Sequence, residues 1–157
     1  SVAIRVPEGE VYHTSEPVDT DYSALNIFRV GHRGSRVALI AAGNFYQKGD
    51  RVRQLLAEQG IDATLINPRY LTGIDTALLD ELKKDHAVVA TLEDGTLDGG
   101  FGERIARHYG PSAMRVLNFG VKKQLYDRYD VDEQLRENHL TDEQIAEDVL
   151  ATLAAIG

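Results

Sequence analysis

The residues with the clearest chemical potential lie in one glycine-rich stretch, residues 92–102, which reads Leu-Glu-Asp-Gly-Thr-Leu-Asp-Gly-Gly-Phe-Gly. Glycines between a strand and a helix expose backbone amides that often bind phosphate together with the helix dipole. The order here is neither G-x-G-x-x-G nor a P-loop, because no Lys-Ser/Thr pair follows the glycines. Asp98 would also repel a phosphate. We therefore favour a structural turn over a phosphate cradle.

Carboxylates in and near this stretch could serve acid–base catalysis. Glu93 comes at the end of a predicted buried strand, close to the carboxyl edge where α/β sheets place their sites. For Glu93, Asp94, Gly99 and Gly100 we favour a role at an interface or in anchoring the loop, and we predict no catalytic residue. Asp75 is better explained as a helix cap.

Metal and nucleophile chemistry find little support in the sequence. Glu93-Asp94-Gly95 followed by Asn118 offers the oxygen ligands that Mg²⁺ prefers, but Glu93 replaces the first glycine of a Gly-Asp-Gly…Asn element and the interval is short. The histidines, at 13, 32, 86, 108 and 139, lack metal-ligand spacing, and there is no G-x-S-x-G motif. We predict neither a metal site nor a catalytic triad.

Arg5 is more unusual, because it lies in the apolar stretch of residues 2–6. An arginine in a buried strand must pair with an anion, which is either a structural carboxylate or a phosphorylated ligand.

Alternating strand and helix patterns predict the elements that position these residues. The predicted strands are residues 27–30 (a short edge strand), 37–42, 63–66, 87–92 and 114–117. Predicted helices follow Asn44, Asp75 and the glycines of residues 95–102. Another is predicted over residues 131–139, and the last follows Thr141, with a Thr141–Gln144 capping box. Such alternation indicates an α/β fold: a three-layer sandwich with a mostly parallel, mixed sheet of about five strands.

Composition excludes several classes of protein. The 157 residues carry a formal net charge of −8 and form no basic cluster, which argues against nucleic-acid binding. There is no cysteine, so disulfides and thiolate metal sites are impossible. The apolar run of residues 37–42 is far shorter than the ~20 residues of a membrane span. No signal-peptide pattern opens the chain, so a cytoplasmic location is expected.

Four segments in the right order resemble the C-terminal domain of the transketolase superfamily of thiamine-diphosphate enzymes, and within it the 1-deoxy-D-xylulose 5-phosphate synthase family. Residues 3–9 (Ala-Ile-Arg-Val-Pro-Glu-Gly) are similar to its Arg-Tyr-Pro-Arg-Gly stretch, and residues 66–75 (Ile-Asn-Pro-Arg-Tyr-Leu-Thr-Gly-Ile-Asp) to Asp/Asn-x-Arg-Phe-x-Lys-Pro-Leu-Asp. Residues 92–102 are similar to Glu-Glu…Gly-Gly-x-Gly, and the ending from residue 118 also fits. The chain departs from the pattern at Glu8, Gly73 and Asp94.

The resemblance implies a homodimeric transferase that uses thiamine diphosphate and Mg²⁺, bound between the first two domains of opposing subunits. No cofactor is then expected in this part. Residues 1–7 would be the last strand of the preceding pyrimidine-binding domain, residues 8–26 a linker, and residues 27–157 the C-terminal domain. Arg5 aligns with the arginine that grips the phosphate of a small phosphorylated sugar, a task suited to its forked donors.

Two alternatives stay open. One is transketolase-type ketol transfer. The other is a stand-alone module without catalysis, in which the turns at Gly43-Asn44 and residues 98–102 hold a small anion.

Overall fold

The computed structural model describes residues 19–125 and 130–156, which build one five-stranded sheet in the order β1-β3-β2-β4-β5. The strands are β1 Arg29–His32, β2 Arg36–Ala41, β3 Thr64–Asn67, β4 His86–Thr96 and β5 Arg115–Val121. Strand β1 pairs antiparallel with β3, and every other pairing is parallel. The predicted mixed, mostly parallel sheet is confirmed.

The described chain has five helices, of which the first three connect strands and the last two follow β5. They are α1 Phe45–Glu58, α2 Thr76–Leu82, α3 Phe101–Tyr109, α4 Val131–Glu137 and α5 Asp142–Ile156. Helices α1 and α5 bury their apolar sides on one face, whereas α2 and α3 do so on the other. The result is the predicted three-layer α/β sandwich.

Strand β2 explains why the core has two halves. Its residues from Val37 to Ala41 are all fully buried. Side chains alternate between the faces of a strand, so Val37 and Leu39 join the cluster under α1 and α5, while Ile40 joins the cluster under α2 and α3. A continuous apolar run is the expected signature of a strand that is covered on both faces.

Two strands are longer than predicted. The apolar pattern of β4 ends at Leu92, yet the strand continues to Thr96, and β5 continues to Val121. The pairing resumes after a register shift, and the Leu97 N–H donates to the Val121 carbonyl at 2.9 Å. Residues 92–96 are therefore strand, and the turn predicted for the whole glycine-rich stretch is confined to residues 97–100.

The predicted helix caps meet different outcomes. Thr141 and Gln144 form the reciprocal capping box at 3.3 and 3.4 Å, and the Asp75 carboxylate accepts from the Leu78 N–H at 3.1 Å. The expectation for Asn44 is wrong: it precedes α1 but makes no side-chain cap. Its amide donates instead to the Asp94 carboxylate at 3.3 Å.

The strand predicted near the amino terminus, with Arg5, lies outside the described residues, as does most of the predicted linker. Within the described ranges no helix combines the length and the apolarity that crossing a membrane requires.

Candidate functional site

Glu93 lies at the carboxyl end of the sheet, where its side chain caps the amino terminus of α3. Its side chain is buried, with 7% of the residue exposed. One carboxylate oxygen accepts from the Phe101 N–H and the other from the Gly102 N–H, both at 2.9 Å. A negative charge at this end of a helix also interacts favourably with the dipole. The amides that could have bound a phosphate are therefore occupied by a carboxylate of the chain itself.

The glycines beside Glu93 are required by close packing. A Cβ atom on Gly100 would lie 2.6 Å from a Glu93 carboxylate oxygen, and one on Gly102 would lie 2.5 Å from the Thr91 hydroxyl. Gly99 adopts a left-handed conformation, with φ of 75°, that reverses the chain before α3. A side chain at Gly100 would push α3 away from Glu93, and one at Gly102 would push it away from Thr91.

The neighbouring polar groups are also paired within the chain. The fully buried Thr91 donates its hydroxyl to the Asn118 side-chain oxygen at 2.9 Å. Asn118 and Glu93 thus use the oxygens that a magnesium ion would need. Among residues 19–125 and 130–156 no group of three or more His, Asp or Glu residues is arranged to hold a metal. The described residues do not fit a Mg²⁺–diphosphate site.

A second polar cluster lies at the same end of the sheet and involves the loop of residues 67–75, which follows β3. Asp75 is 9% exposed, and its second oxygen accepts from the Phe28 N–H at 3.0 Å. Arg104 of α3 donates to the Leu71 carbonyl at 2.7 Å. The loop therefore joins α3 to the segment that enters β1, a link that the sequence did not indicate.

Deep burial extends down α3 to its last residue. The Tyr109 hydroxyl donates to the Leu79 carbonyl at 2.8 Å. Desolvation by burial, followed by the negative charge of Asp80, raises the pKa of Tyr109 far above its usual value. This phenol is a neutral donor that fixes α3 against α2.

The sequence of the chain shows the family to which it belongs. The model of the transketolase C-terminal domain matches residues 28–145. The chain belongs to this family.

Curated relatives place the domain in longer proteins. The chain is 36% identical over 124 residues to 1-deoxy-D-xylulose-5-phosphate synthase of Pseudoalteromonas translucida, a match that covers 76% of this chain and 19% of the relative. It is 33% identical over 153 residues to the synthase of Gloeothece citriformis, covering 95% of this chain and 24% of the relative. The transketolase-type domain thus spans about a fifth to a quarter of these relatives.

Solved structures support the fold. A split-gene transketolase, described as an inactive β4 tetramer, superimposes with a TM-score of 0.74 at 23% identity, over 86% of this chain and 44% of that chain. A transketolase variant from Pichia stipitis gives a TM-score of 0.54 at 13% identity, over 81% and 18%. Both likenesses concern the fold alone.

The sequence-predicted site residues of this transketolase-type domain separate into three groups. Glu93 and Gly100 lie together at the start of α3, and Gly99 forms the turn that leads to them. Asp94 is exposed and faces α1 through Asn44. Arg5 lies outside the described residues. The contacts of the loop of residues 67–75 with the Phe28 N–H and with Arg104 are not indicated by its sequence motif.

A groove of about 550 Å³ lies between β5 and α5, at the edge of the described sheet opposite β1. Its lining combines apolar and polar side chains, among them Leu117, Phe119, His139, Asp148, Thr152 and Ile156. Strand β5 is the last strand of the described sheet, and such an edge can take part in contacts between chains.

Proposed function

We propose that this chain is the C-terminal domain of a thiamine-diphosphate-dependent transferase of the 1-deoxy-D-xylulose 5-phosphate synthase type. Such an enzyme condenses pyruvate with glyceraldehyde 3-phosphate and releases CO₂. The domain contributes dimerisation and support of the active site. The observation that supports a structural role for this domain is Glu93, whose carboxylate is buried and accepts two backbone hydrogen bonds.

Glu93 also weighs against the stand-alone anion-binding module. A phosphate at the start of α3 would have to displace a carboxylate that is already hydrogen-bonded to both amides. At the start of α1, an anion would meet the Asp94 carboxylate beside Asn44. Both turns therefore oppose a second negative charge, because like charges in close contact repel each other.

Thiamine diphosphate supplies an ylid carbon when it is bound, and the protein positions it. The described residues do not fit its magnesium and diphosphate, so we assign these groups to the preceding domains of the longer protein. In this proposal residues 1–7 end the pyrimidine-binding domain, residues 8–26 are the linker, and residues 27–157 form the C-terminal domain of a cytoplasmic homodimer.

Arg5 is the one substrate-binding residue that we assign to this chain. Its forked donors suit the phosphate of the acceptor sugar. In the longer protein, Arg5→Ala is expected to raise KM for glyceraldehyde 3-phosphate more than KM for pyruvate. Steady-state kinetics with each substrate varied in turn measures the difference, and unchanged kinetics for the phosphorylated substrate would remove Arg5 from this role.

Dimerisation is tested by light scattering on the 157-residue chain over a range of concentrations. Strand β5, at the edge of the described sheet, and the groove beside α5 supply a surface for such contacts. A dimer is expected, whereas a clean monomer at high concentration would contradict assembly through this domain alone.

The reaction itself is tested with the longer protein that carries this domain. The assay supplies thiamine diphosphate, Mg²⁺, pyruvate and glyceraldehyde 3-phosphate, and follows CO₂. Release that requires both substrates supports the synthase activity. Two-carbon transfer from a ketose phosphate without CO₂ would instead assign the protein to ketol transfer and leave the role of the domain unchanged.

A further inference from the structure

Residues 19–28, here called the strap, lie along the loop of residues 67–75 before the chain enters β1. Asp75 accepts from the Phe28 N–H at 3.0 Å, and Thr72 donates to the Asn26 side-chain oxygen at 2.9 Å. A Cβ atom on Gly73 would lie 2.6 Å from the Asn26 amide nitrogen. The loop is therefore shaped to receive the strap.

The first half of the strap is held by its main chain. Arg69 donates to the Asp21 carbonyl at 2.6 Å, and the Tyr70 hydroxyl donates to the Tyr22 carbonyl at 2.6 Å. The Arg69 guanidinium also lies 4.7 Å from the centre of the Tyr22 ring, within the range of a cation–π contact. Asp19 lies 3.5 Å from both Arg29 and Arg69. The contacts follow the same order along both segments.

Two conformations indicate that this docking is specific. Arg69 has a φ of 62° and Asn26 a φ of 58°. Asparagine adopts such values readily, whereas a long side chain does so uncommonly, at a cost that the surrounding contacts must offset. Only 13% of the Arg69 side chain is exposed, so its position depends on the strap that covers it.

The strap is ordered internally as well. The Asp21 carboxylate accepts from the Ser23 N–H at 2.9 Å. Hydrogen bonds from Ser23 to this exposed carboxylate hold the pKa of Asp21 below its usual value. The turn around Asp21 thus presents its carbonyl towards Arg69 in a defined orientation.

We propose that the strap is a docking element that fixes the direction of the chain at Asp19, where the described domain begins, with Arg69 and Tyr70 as positioning residues. Both donate to main-chain carbonyls of the strap, and Arg69 also contacts the side chains of Asp19 and Tyr22. The strap lies beside the loop that follows the carboxyl end of β3. This inference does not depend on the reaction catalysed by the longer protein.

Spin labels test the proposal, because the chain contains no cysteine. Exposed Thr20 and Glu58 are replaced by cysteine, labelled, and their distance distribution is measured by pulsed electron resonance. A domain of this size has a radius of gyration of roughly 15 Å, so the pair lies within the range of the method. A second pair, at Glu58 and Asp98, reports only on the folded domain.

The expected result is a narrow distance distribution for the 20–58 pair. Its width should increase about twofold or more in Arg69→Ala, because a segment at the surface opens locally when it loses a few contacts. Arg107→Ala is the matched control, because it removes the same charge from an exposed position. Arg69→Lys retains the charge but not the forked donors, and is expected to broaden the distribution as well.

A broad distribution in the unmodified chain would overturn the proposal, as would an unchanged width in Arg69→Ala. If Arg69→Ala fails to fold, which the Glu58–Asp98 pair reveals, Tyr70→Phe decides. That variant removes a single hydroxyl, so a broader 20–58 distribution supports the docking role, and an unchanged one contradicts it.

Discussion

Glu93→Gln is the most informative single substitution, because it changes one atom of the carboxylate that holds the start of α3. The glutamine oxygen can still accept from one of the two amides, Phe101 or Gly102. Its NH₂ group then faces the other N–H, so two donors meet without an acceptor between them. The substitution also removes the negative charge at the positive end of α3.

The magnitude follows from these two losses. A hydrogen bond to a charged group contributes ~1.5–3 kcal/mol, and leaving a buried donor unsatisfied costs a similar amount. A charge at a helix terminus adds ~0.3–1 kcal/mol. Since Glu93 is only 7% exposed, water cannot replace the missing acceptor. We expect the free energy of unfolding to fall by about 2–4 kcal/mol, which leaves a domain of ordinary stability folded.

Urea unfolding followed by circular dichroism measures this loss. With an m value of about 2 kcal/mol per molar urea, the midpoint should fall by about 1–2 M. Asp98→Asn removes the same charge from an exposed neighbour and should leave the midpoint unchanged. Glu93→Asp keeps the charge but shortens the reach, and should also destabilise. If Glu93→Gln unfolds at the same urea concentration as Asp98→Asn, the carboxylate does not hold α3.

Three further substitutions test other parts of the fold by the same measurement. Gly102→Ala should destabilise by about 1–2 kcal/mol although alanine favours helices, because its Cβ would press on the Thr91 hydroxyl 2.5 Å away; Gly110→Ala, which meets only ordinary contacts, is the control. Tyr109→Phe should cost about 1 kcal/mol through the lost hydrogen bond to the Leu79 carbonyl; no loss would contradict the pairing. Burial alone would raise the pKa of Asp142, but hydrogen bonds from Lys48 and Arg51 hold that pKa below its usual value. The stability that Asp142 contributes is therefore present above pH ~4 and lost as the pH falls through the lowered pKa. Asp142→Asn should lower the free energy of unfolding by about 1–2 kcal/mol at pH 7, between the values for exposed and buried pairs, and by progressively less in acid. A loss that is constant with pH, or that equals the loss in the exposed Asp132→Asn, would refute the assignment.

The apolar strands and the helix caps could be predicted because their signals are local. The apolar run in β2 and the Thr141–Gln144 box each specify an element within a few residues. Strand β4 was predicted too short for the opposite reason. Its continuation beyond Leu92 depends on pairing with β5, more than twenty residues later in the sequence, which no local pattern reports.

Contacts to the main chain explain what sequence reasoning missed in the site. Arg69 and Tyr70 bind the carbonyls of residues 21 and 22, and a carbonyl is present whatever residue occupies the position. Asn44 was assigned as a cap because its residue type favours that role, yet Asp94 lies close enough to accept its amide. Asp94 is fifty residues away in the sequence, so the local pattern around Asn44 could not indicate this hydrogen bond.

The carboxyl end of the sheet is organised as one connected support. Glu93 holds the first turn of α3, Arg104 of the same helix donates to the Leu71 carbonyl, and the loop that contains Leu71 carries the strap. Arg104 follows Phe101 by three residues, or ~4.5 Å along the helix axis, so any shift of the first turn is passed to Leu71 by a rigid element. The Glu93 carboxylate is buried and hydrogen-bonded to two amides at the start of α3. Through α3 and the loop it helps to fix the position of the strap relative to the sheet, which is what a supporting domain requires of this edge.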